Sequence, residues 1–434
     1  MISCSRPLDR CWCAIGGTAS CSQNPLLATL DLGLGCHKIC NITGRSCNRS
    51  LQTAPMSLSR PPRVLIATAS FGDGHNTAAR GLAKALEGQA ECLLIDPCAE
   101  ASPRFNSLVL NSYRFVTTYL PGIWKRIYDG VERRDFSRQN LPFERKIENA
   151  FALQLTEFNP DVIVSTFPLF PYFVARYIKG GGRRRPMVTI VTDSMEINAS
   201  WRKAPTDFWL VTDGETKNSL VEQKLPAEKI IETGFPVDPI FDTLQPIPAT
   251  DRARPFRVLY FPTASKRALV PAARAILEHE DWPVELTIVL GRNLRRLYRR
   301  ARELVATYPN RVRLKGWSHR VPELLCEHHL VVGKAGGATV HESLAACCPM
   351  LIQHLVPGQE EGNLKLLQRI GGGSLAETET ALAAALRDLL SDQASHWRRQ
   401  KQHLTLHSRP QASKVAASFV LELATKVQSS PVDD

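Results

Sequence analysis

Twice in this chain a short apolar run stops at glycines and gives way to a helical pattern. In the first case Val64-Leu65-Ile66-Ala67 leads into Ser70-Phe71-Gly72-Asp73-Gly74-His75. In the second, Leu330-Val331-Val332 leads into Gly333-Lys334-Ala335-Gly336-Gly337-Ala338-Thr339-Val340-His341-Glu342. A buried strand that ends in glycines before a helix leaves backbone N–H groups and the helix N-terminus open to close approach. That geometry suits an anionic or sugar-bearing ligand. Two such turns, one near each end of the chain, predict two facing domains with a ligand between them.

The pattern around the turns agrees. Arg63–Ala69 reads as a buried strand, Thr77–Leu86 as an alanine- and leucine-rich helix, and Glu91–Ile95 as a second strand. This is β-α-β at short spacing, the signature of a parallel sheet with crossover helices. Asp161–Ser165, Met187–Thr192 and Phe208–Val211 continue the series, with helices at Pro171–Ile178 and from Glu215. The prolines at 236, 239, 246, 248 and 255 mark a linker. Beyond it a second series of strands follows at Arg257–Phe261, Leu286–Leu290, Val312–Leu314, Leu330–Val332 and Met350–Ile352. Helices are expected at Leu294–Thr307 and Thr339–Ala345, and a closing helix at about Ser413–Lys426 that returns to the first domain. The predicted fold class is α/β, with two Rossmann-like parallel-sheet domains around a central cleft. The predicted divisions are a leader over 1–60, a first domain over 61–240, a proline-rich linker over 241–256, a second domain over 257–410 and a closing helix with tail over 411–434.

A length of 434 residues is ample for two cores, and 44% hydrophobic with 22% charged residues is the composition of a globular protein. No apolar run is long enough to span a bilayer. The net charge of +12 permits a phosphorylated small molecule, an anionic membrane surface or nucleic acid as partner. No nucleic-acid-binding signature accompanies the charge, so nucleic acid is not expected. Seven of the 12 cysteines precede Pro61 and lack paired metal-ligand spacing, so the leader is expected to be a dispensable tail, with Met56 a natural start. The later cysteines Cys92, Cys326 and Cys347 sit in apolar surroundings and read as core thiols.

The second glycine turn carries the most detail. Gly336 and Gly337 allow a diphosphate to reach backbone amides at a helix start. Thr339 lies on the first turn of that helix and Glu342 further along it, where a carboxylate can accept from ribose hydroxyls. The next strand runs into Pro357-Gly358-Gln359-Glu360-Glu361-Gly362-Asn363, a loop whose acids and amides suit sugar hydroxyls. Each piece alone is also ordinary turn chemistry; their succession on consecutive strand ends is the stronger signal.

With these residues in view, the chain resembles glycosyltransferase family 28, in the branch of monogalactosyldiacylglycerol synthases and processive diacylglycerol glucosyltransferases. The lipid-linked N-acetylglucosamine transferase of peptidoglycan synthesis is a further relative. The resemblance covers about Arg63–Gly373. It rests on Ala69–His75, Val191-Thr192-Asp193, Thr233–Pro239, Lys334–Glu342 and Pro357–Asn363. It implies the GT-B fold and inverting transfer of a hexose from a UDP-sugar to a lipid acceptor, without a metal or other cofactor. It also implies that Gly336 and Gly337 face the diphosphate, with Lys334 and Thr339 beside them, and that Glu342 faces the ribose. Gln359, Glu360 and Asn363 then lie near the donor, and Gly72, Asp73, Gly74 and Asp193 on the acceptor side. His75 becomes the general base. Two departures stand out. Asp73 replaces a glycine of the usual Gly-Gly-Gly-His, and either orients His75 or is a solvated turn residue. After Asp193, where many relatives carry a histidine, this chain reads Ser194-Met195-Glu196.

The stretch Phe105–Arg134 mixes aromatic and aliphatic residues with arginines and lysines. It is either a membrane-docking face suited to anionic headgroups or an ordinary amphipathic core helix. A docking face implies a peripheral protein on the cytoplasmic side of a membrane. The basic helix from Arg292 to Arg302 reads as a solvated face. The competing readings are N-acetylglucosamine transfer to a polyprenyl-linked acceptor, a UDP-sugar epimerase on the same fold, and a nucleotide-sugar-binding protein without turnover.

Overall fold

The structure is a computed structural model that describes residues 60–134, 142–263, 266–279 and 282–429. The cysteine-containing leader and Met56 lie outside the described residues. The first sheet contains β1 (Arg63–Ala67), β2 (Glu91–Ile95), β3 (Val162–Ser165), β4 (Met187–Ile190), β5 (Phe208–Val211) and β6 (Ile230–Glu232). The second contains β7 (Phe256–Tyr260), β8 (Val284–Val289), β9 (Val312–Lys315), β10 (Leu330–Lys334), β11 (Met350–His354) and β12 (Gly373–Leu375). The strand orders are β2-β1-β3-β4-β5-β6 and β12-β11-β10-β7-β8-β9, and every pairing is parallel. The central strands are Val-, Ile- and Leu-rich and buried throughout, as a parallel sheet covered by helices on both faces requires.

Strand order fixes where a ligand can sit. In the first sheet the chain runs outward from β1 to β2, then crosses back to β3; in the second it runs from β7 to β9, then crosses back to β10. The switch points fall between β1 and β3 and between β7 and β10. Crevices in open α/β sheets form at the carboxyl ends of such strands. Both glycine turns leave strands that border a switch point, β1 and β10.

The helices largely match expectation, with shifts that bear on the site. The helix after β1 spans Asp73–Leu86 and not Thr77–Leu86, so Gly74 and His75 sit in its first turn. The helix after β11 starts at Glu361, so the expected loop over 357–363 is half helix. The helix Ala412–Ser429 packs on Asp73–Leu86 and against β1 and β3, and Phe419 sets its ring edge-on to Phe208 at 5.2 Å. Four cysteines, Cys98, Cys326, Cys347 and Cys348, are buried free thiols; burial pushes Cys348 up to about 12, which makes it inert.

Candidate active site

The first glycine turn is shaped by its own side chains. Asp96 Oδ2 accepts from the Ser70 backbone N–H at 3.1 Å and from its hydroxyl at 2.7 Å, which pins the start of the loop. Gly72 then takes φ 97°, a conformation that side chains rarely adopt, and caps the helix Asp73–Leu86. His75 follows, buried between Phe167, edge-on at 5.2 Å, and Trp201 at 5.8 Å. Its Nδ1 lies 3.1 Å from the Thr192 hydroxyl. Burial lowers its pKa to about 4 against the opposing effect of the Thr166 carbonyl, so the ring is neutral at physiological pH. Asp73 does not reach His75. Its carboxylate pairs with Arg292 at 3.2 Å, largely in solvent, which favours the solvated reading of that residue.

The second turn meets the first directly. A Cβ on Gly74 would stand 3.8 Å from the Ala338 backbone N, and one on Gly337 only 2.6 Å from the Thr192 carbonyl. Two helix N-termini, Asp73–Leu86 and Gly337–Ala345, therefore converge on one place. Gly336 caps the second with no side-chain hydrogen bond, so its first-turn amides remain open. Two positive dipole ends at one point favour an anion.

The other expected donor residues surround this point. Lys334 Nζ donates to Glu360 Oε1 at 2.8 Å, and Glu360 Oε2 accepts from the Val356 N–H at 3.1 Å. The Glu360 charge raises the pKa of Lys334, which stays cationic. Asn363 is buried and donates to the Ala335 carbonyl at 3.0 Å, while its Oδ1 has no partner. Thr339 is half-buried on the first turn of its helix. Glu342 is half-buried and faces the helix Asp73–Leu86. Burial pushes its carboxyl up to about 8; Arg80 opposes that rise, and Asp238 and Asp73 reinforce it.

Asp193 stands out on chemistry. Trp201 Nε1 donates to its Oδ2 at 2.9 Å. Burial raises its pKa to about 6, the indole bond opposes that rise, and the negative charge of Glu360 adds to it.

Several cleft residues carry no local sequence signal. Tyr113 donates to Gln359 Oε1 at 3.0 Å, and the Tyr128 ring lies where a Cβ on Gly358 would be, 2.8 Å away, at a φ of 78°. Both tyrosines belong to the helices Pro103–Tyr119 and Pro121–Arg133, whose inner face thus forms a wall of the cleft. Trp124 also turns inward, edge-on to Tyr113 at 5.0 Å, whereas Ile123 and Ile127 are exposed. Ser194 reaches across to His341 Nε2 at 2.9 Å, and His341 stacks on Phe235 at 4.9 Å. Among the described residues no cluster of three or more His, Cys, Asp or Glu side chains is placed to hold a metal ion. Nor is any helix among them long and apolar enough to cross a membrane.

Two parallel six-stranded sheets with glycine turns meeting at their carboxyl ends define the GT-B architecture. Solved structures share it. MurG of Acinetobacter baumannii matches with a TM-score of 0.56 at 15% identity, covering 83% of this chain and 100% of that one. The MnaA–UDP co-structure of S. aureus matches with a TM-score of 0.54 at 12% identity, covering 86% and 99%. The family model of monogalactosyldiacylglycerol (MGDG) synthase matches residues 75–237. Curated relatives include processive diacylglycerol beta-glucosyltransferases of Bacillus thuringiensis (strain Al Hakam) and Bacillus cereus (strain AH187). Each is 24% identical, covering 76% of this chain and 86% of the relative. The resemblance read from the motifs therefore holds: the chain is similar to the monogalactosyldiacylglycerol synthase and processive diacylglycerol glucosyltransferase branch of glycosyltransferase family 28.

Proposed function

We propose that this protein is an inverting glycosyltransferase that moves a hexose from a UDP-sugar to the hydroxyl of a lipid such as diacylglycerol. The observation that carries the reading is the convergence of two glycine-opened helix N-termini on one interdomain point, in a chain whose relatives are named for lipid glycosylation. The diphosphate of the donor lies against the amides of Gly336 and Gly337, with Lys334 beside it. As the glycosidic bond to UDP breaks, these fixed donors take up the growing negative charge. No metal is required in this reading. Glu342 serves the ribose; Gln359, Glu360 and Asn363 serve the sugar.

The acceptor hydroxyl is a poor nucleophile until a base takes its proton, a contribution of about 10²–10⁴ in rate. His75 is the proposed base, since it is neutral and opens the first helix. Asp193 competes for the role because its carboxyl titrates near 6, closer to working pH. Their pKa values separate them experimentally.

The acceptor arrives from a bilayer. The outer face of the helices Pro103–Tyr119 and Pro121–Arg133 exposes Phe115, Tyr119, Ile123 and Ile127, with Arg114, Lys125 and Arg126 among them. Apolar residues beside cations suit an anionic interface, and we place the protein peripherally on the cytoplasmic side of a membrane. The test is to supply UDP-glucose, UDP-galactose and UDP-N-acetylglucosamine in turn with diacylglycerol vesicles and identify the products by mass spectrometry. A hexosyl-diacylglycerol is expected. Conversion of the donor to its epimer, or UDP binding with no glycolipid formed from any donor, overturns the reading.

A further inference from the structure

The helix Leu294–Thr307, expected as a solvated face, exposes its arginines and an aromatic side chain together. It carries arginines at 295, 296, 299, 300 and 302 against one carboxylate, Glu303. Leu297, Ala301 and Leu304 form its buried stripe. Arg295 and Arg299 project from the opposite side, one turn apart, exposed and with no ion pair among the described residues. Tyr298 is 48% exposed on the same helix, and the nearby Trp317 is 54% exposed, with the Arg292 guanidinium 5.0 Å from its ring centroid. The face thus combines a half-exposed tyrosine and tryptophan with two arginines, Arg295 and Arg299, that no carboxylate pairs among the described residues, while Arg292 and Arg300 are paired with Asp73 and Glu303.

Its position in the fold gives this face a neighbour. The helix leaves the carboxyl end of β8, so it stands at the mouth of the cleft. Arg296 reaches the Tyr119 hydroxyl across that mouth, its guanidinium 5.6 Å from the ring centroid. Tyr119 in turn packs on Phe115 at 5.2 Å, on the exposed apolar side of the helix Pro103–Tyr119. The basic helix of the second half and the apolar helices of the first are therefore contiguous.

We propose that the second half docks on an anionic bilayer through Arg295, Arg299, Tyr298 and Trp317, continuous with the outer face of the first half, so that membrane binding engages both sides of the cleft. This deepens the lipid-acceptor reading and rests on it. Positive charge without matching carboxylates selects anionic headgroups, and the aromatic pair suits the interfacial layer.

The test is flotation of the full chain with phosphatidylcholine vesicles, with and without phosphatidylglycerol, at low and high salt. A basic side chain at an anionic surface is worth roughly fivefold in partitioning. Arg295→Glu/Arg299→Glu should therefore lower binding to anionic vesicles at least tenfold (as an order of magnitude). The deficit should shrink at high salt, where surface charges are screened. UDP affinity by calorimetry should match the wild type, which shows that the variant is folded. Tyr298→Ser/Trp317→Ser should lower binding at both salt concentrations. Flotation of Arg295→Glu/Arg299→Glu equal to that of the wild type overturns the proposal. So does a variant whose only loss is in binding RNA or DNA. Flotation that depends on Arg295 and Arg299 in a protein that glycosylates no lipid leaves the surface standing and refutes the lipid-acceptor reading alone.

Discussion

Gly362 offers the sharpest test of how the two halves meet. It lies in the first turn of the helix Glu361–Arg369, buried against the segment after β4. A Cβ there would stand 2.0 Å from the Ser194 carbonyl oxygen and 2.9 Å from the Glu196 backbone N. Both are backbone atoms, so no side-chain rotation relieves the clash. Ordinary contact begins near 3.4 Å, so Gly362→Ala must part the two backbones by roughly 1.4 Å. The two halves share a buried core where the helices Asp73–Leu86 and Gly337–Ala345 pack, so the movement falls on that seam and on the cleft beside it. A misplacement of about 1 Å between reacting groups costs on the order of 10² in rate. We therefore expect kcat/KM for glycosyl transfer to fall about a hundredfold, with UDP affinity, which depends on the second half, changed only a few-fold. Steady-state transfer and calorimetry read the two quantities separately. The control is Gly130→Ala in the helix Pro121–Arg133, where a Cβ meets nothing within 4 Å. It should leave activity unchanged and raise stability by about 0.5–1 kcal/mol. A Gly362→Ala protein with kcat/KM near that of the wild type would refute the close approach.

Other consequences follow from the site. A base must be deprotonated to act, so kcat/KM falls as pH drops through its pKa in the free enzyme. An acid limb near 4 that is lost in His75→Ala identifies His75, and one near 6 that is lost in Asp193→Asn identifies Asp193. Either variant should keep UDP binding nearly intact; loss of it would assign the residue to domain closure instead. At pH 9, where the Glu342 carboxyl is ionised, Glu342→Ala should weaken UDP binding by roughly 1.5–3 kcal/mol if its carboxylate meets the ribose, and unchanged affinity removes it from the site. The folded-state pKa of Glu342, about 8, lies above the ordinary carboxyl value of 4.5, so the folded state holds the proton more tightly. Its contribution to stability is then fully present below pH 4.5 and is lost as pH rises towards 8. Glu342→Gln should accordingly gain stability over the wild type at pH 9 and little at pH 4, as read by urea denaturation; an equal difference at both pH values would contradict the burial.

What the sequence revealed divides along physical lines. Buried strands such as β1, β3 and β10 are legible because burial on both faces favours runs of Val, Ile and Leu. The edge strands β6 (IIE) and β12 (GSL) carry no such signal, because three residues paired on one side need no such run. The helix Glu379–His407 shows no continuous helical period because it breaks at Ser391–Ala394. In the site, the glycine turns announce themselves, since a strand end that admits close approach needs glycine at particular positions. Their partners do not. His75 meets Thr192 across 117 residues of chain, and Tyr113 meets Gln359 across 246. The first contact joins the ends of two strands of one sheet, the second joins the two halves across the cleft, and no local pattern encodes either. Nor does the composition of the stretch Phe105–Arg134 say which of its residues face inward: Trp124 packs on Tyr113 while Ile123 and Ile127 face outward.

The central claim is a single displacement at the sugar, with the acceptor deprotonated from the first half and UDP departing against the second. The anomeric configuration of the first glycolipid formed tests it most directly. With an α-linked UDP-hexose and diacylglycerol vesicles in a single turnover, proton NMR of the isolated product should show a β-linked hexose and one UDP released for each sugar transferred. An α-linked product would mean retention, and would contradict the account.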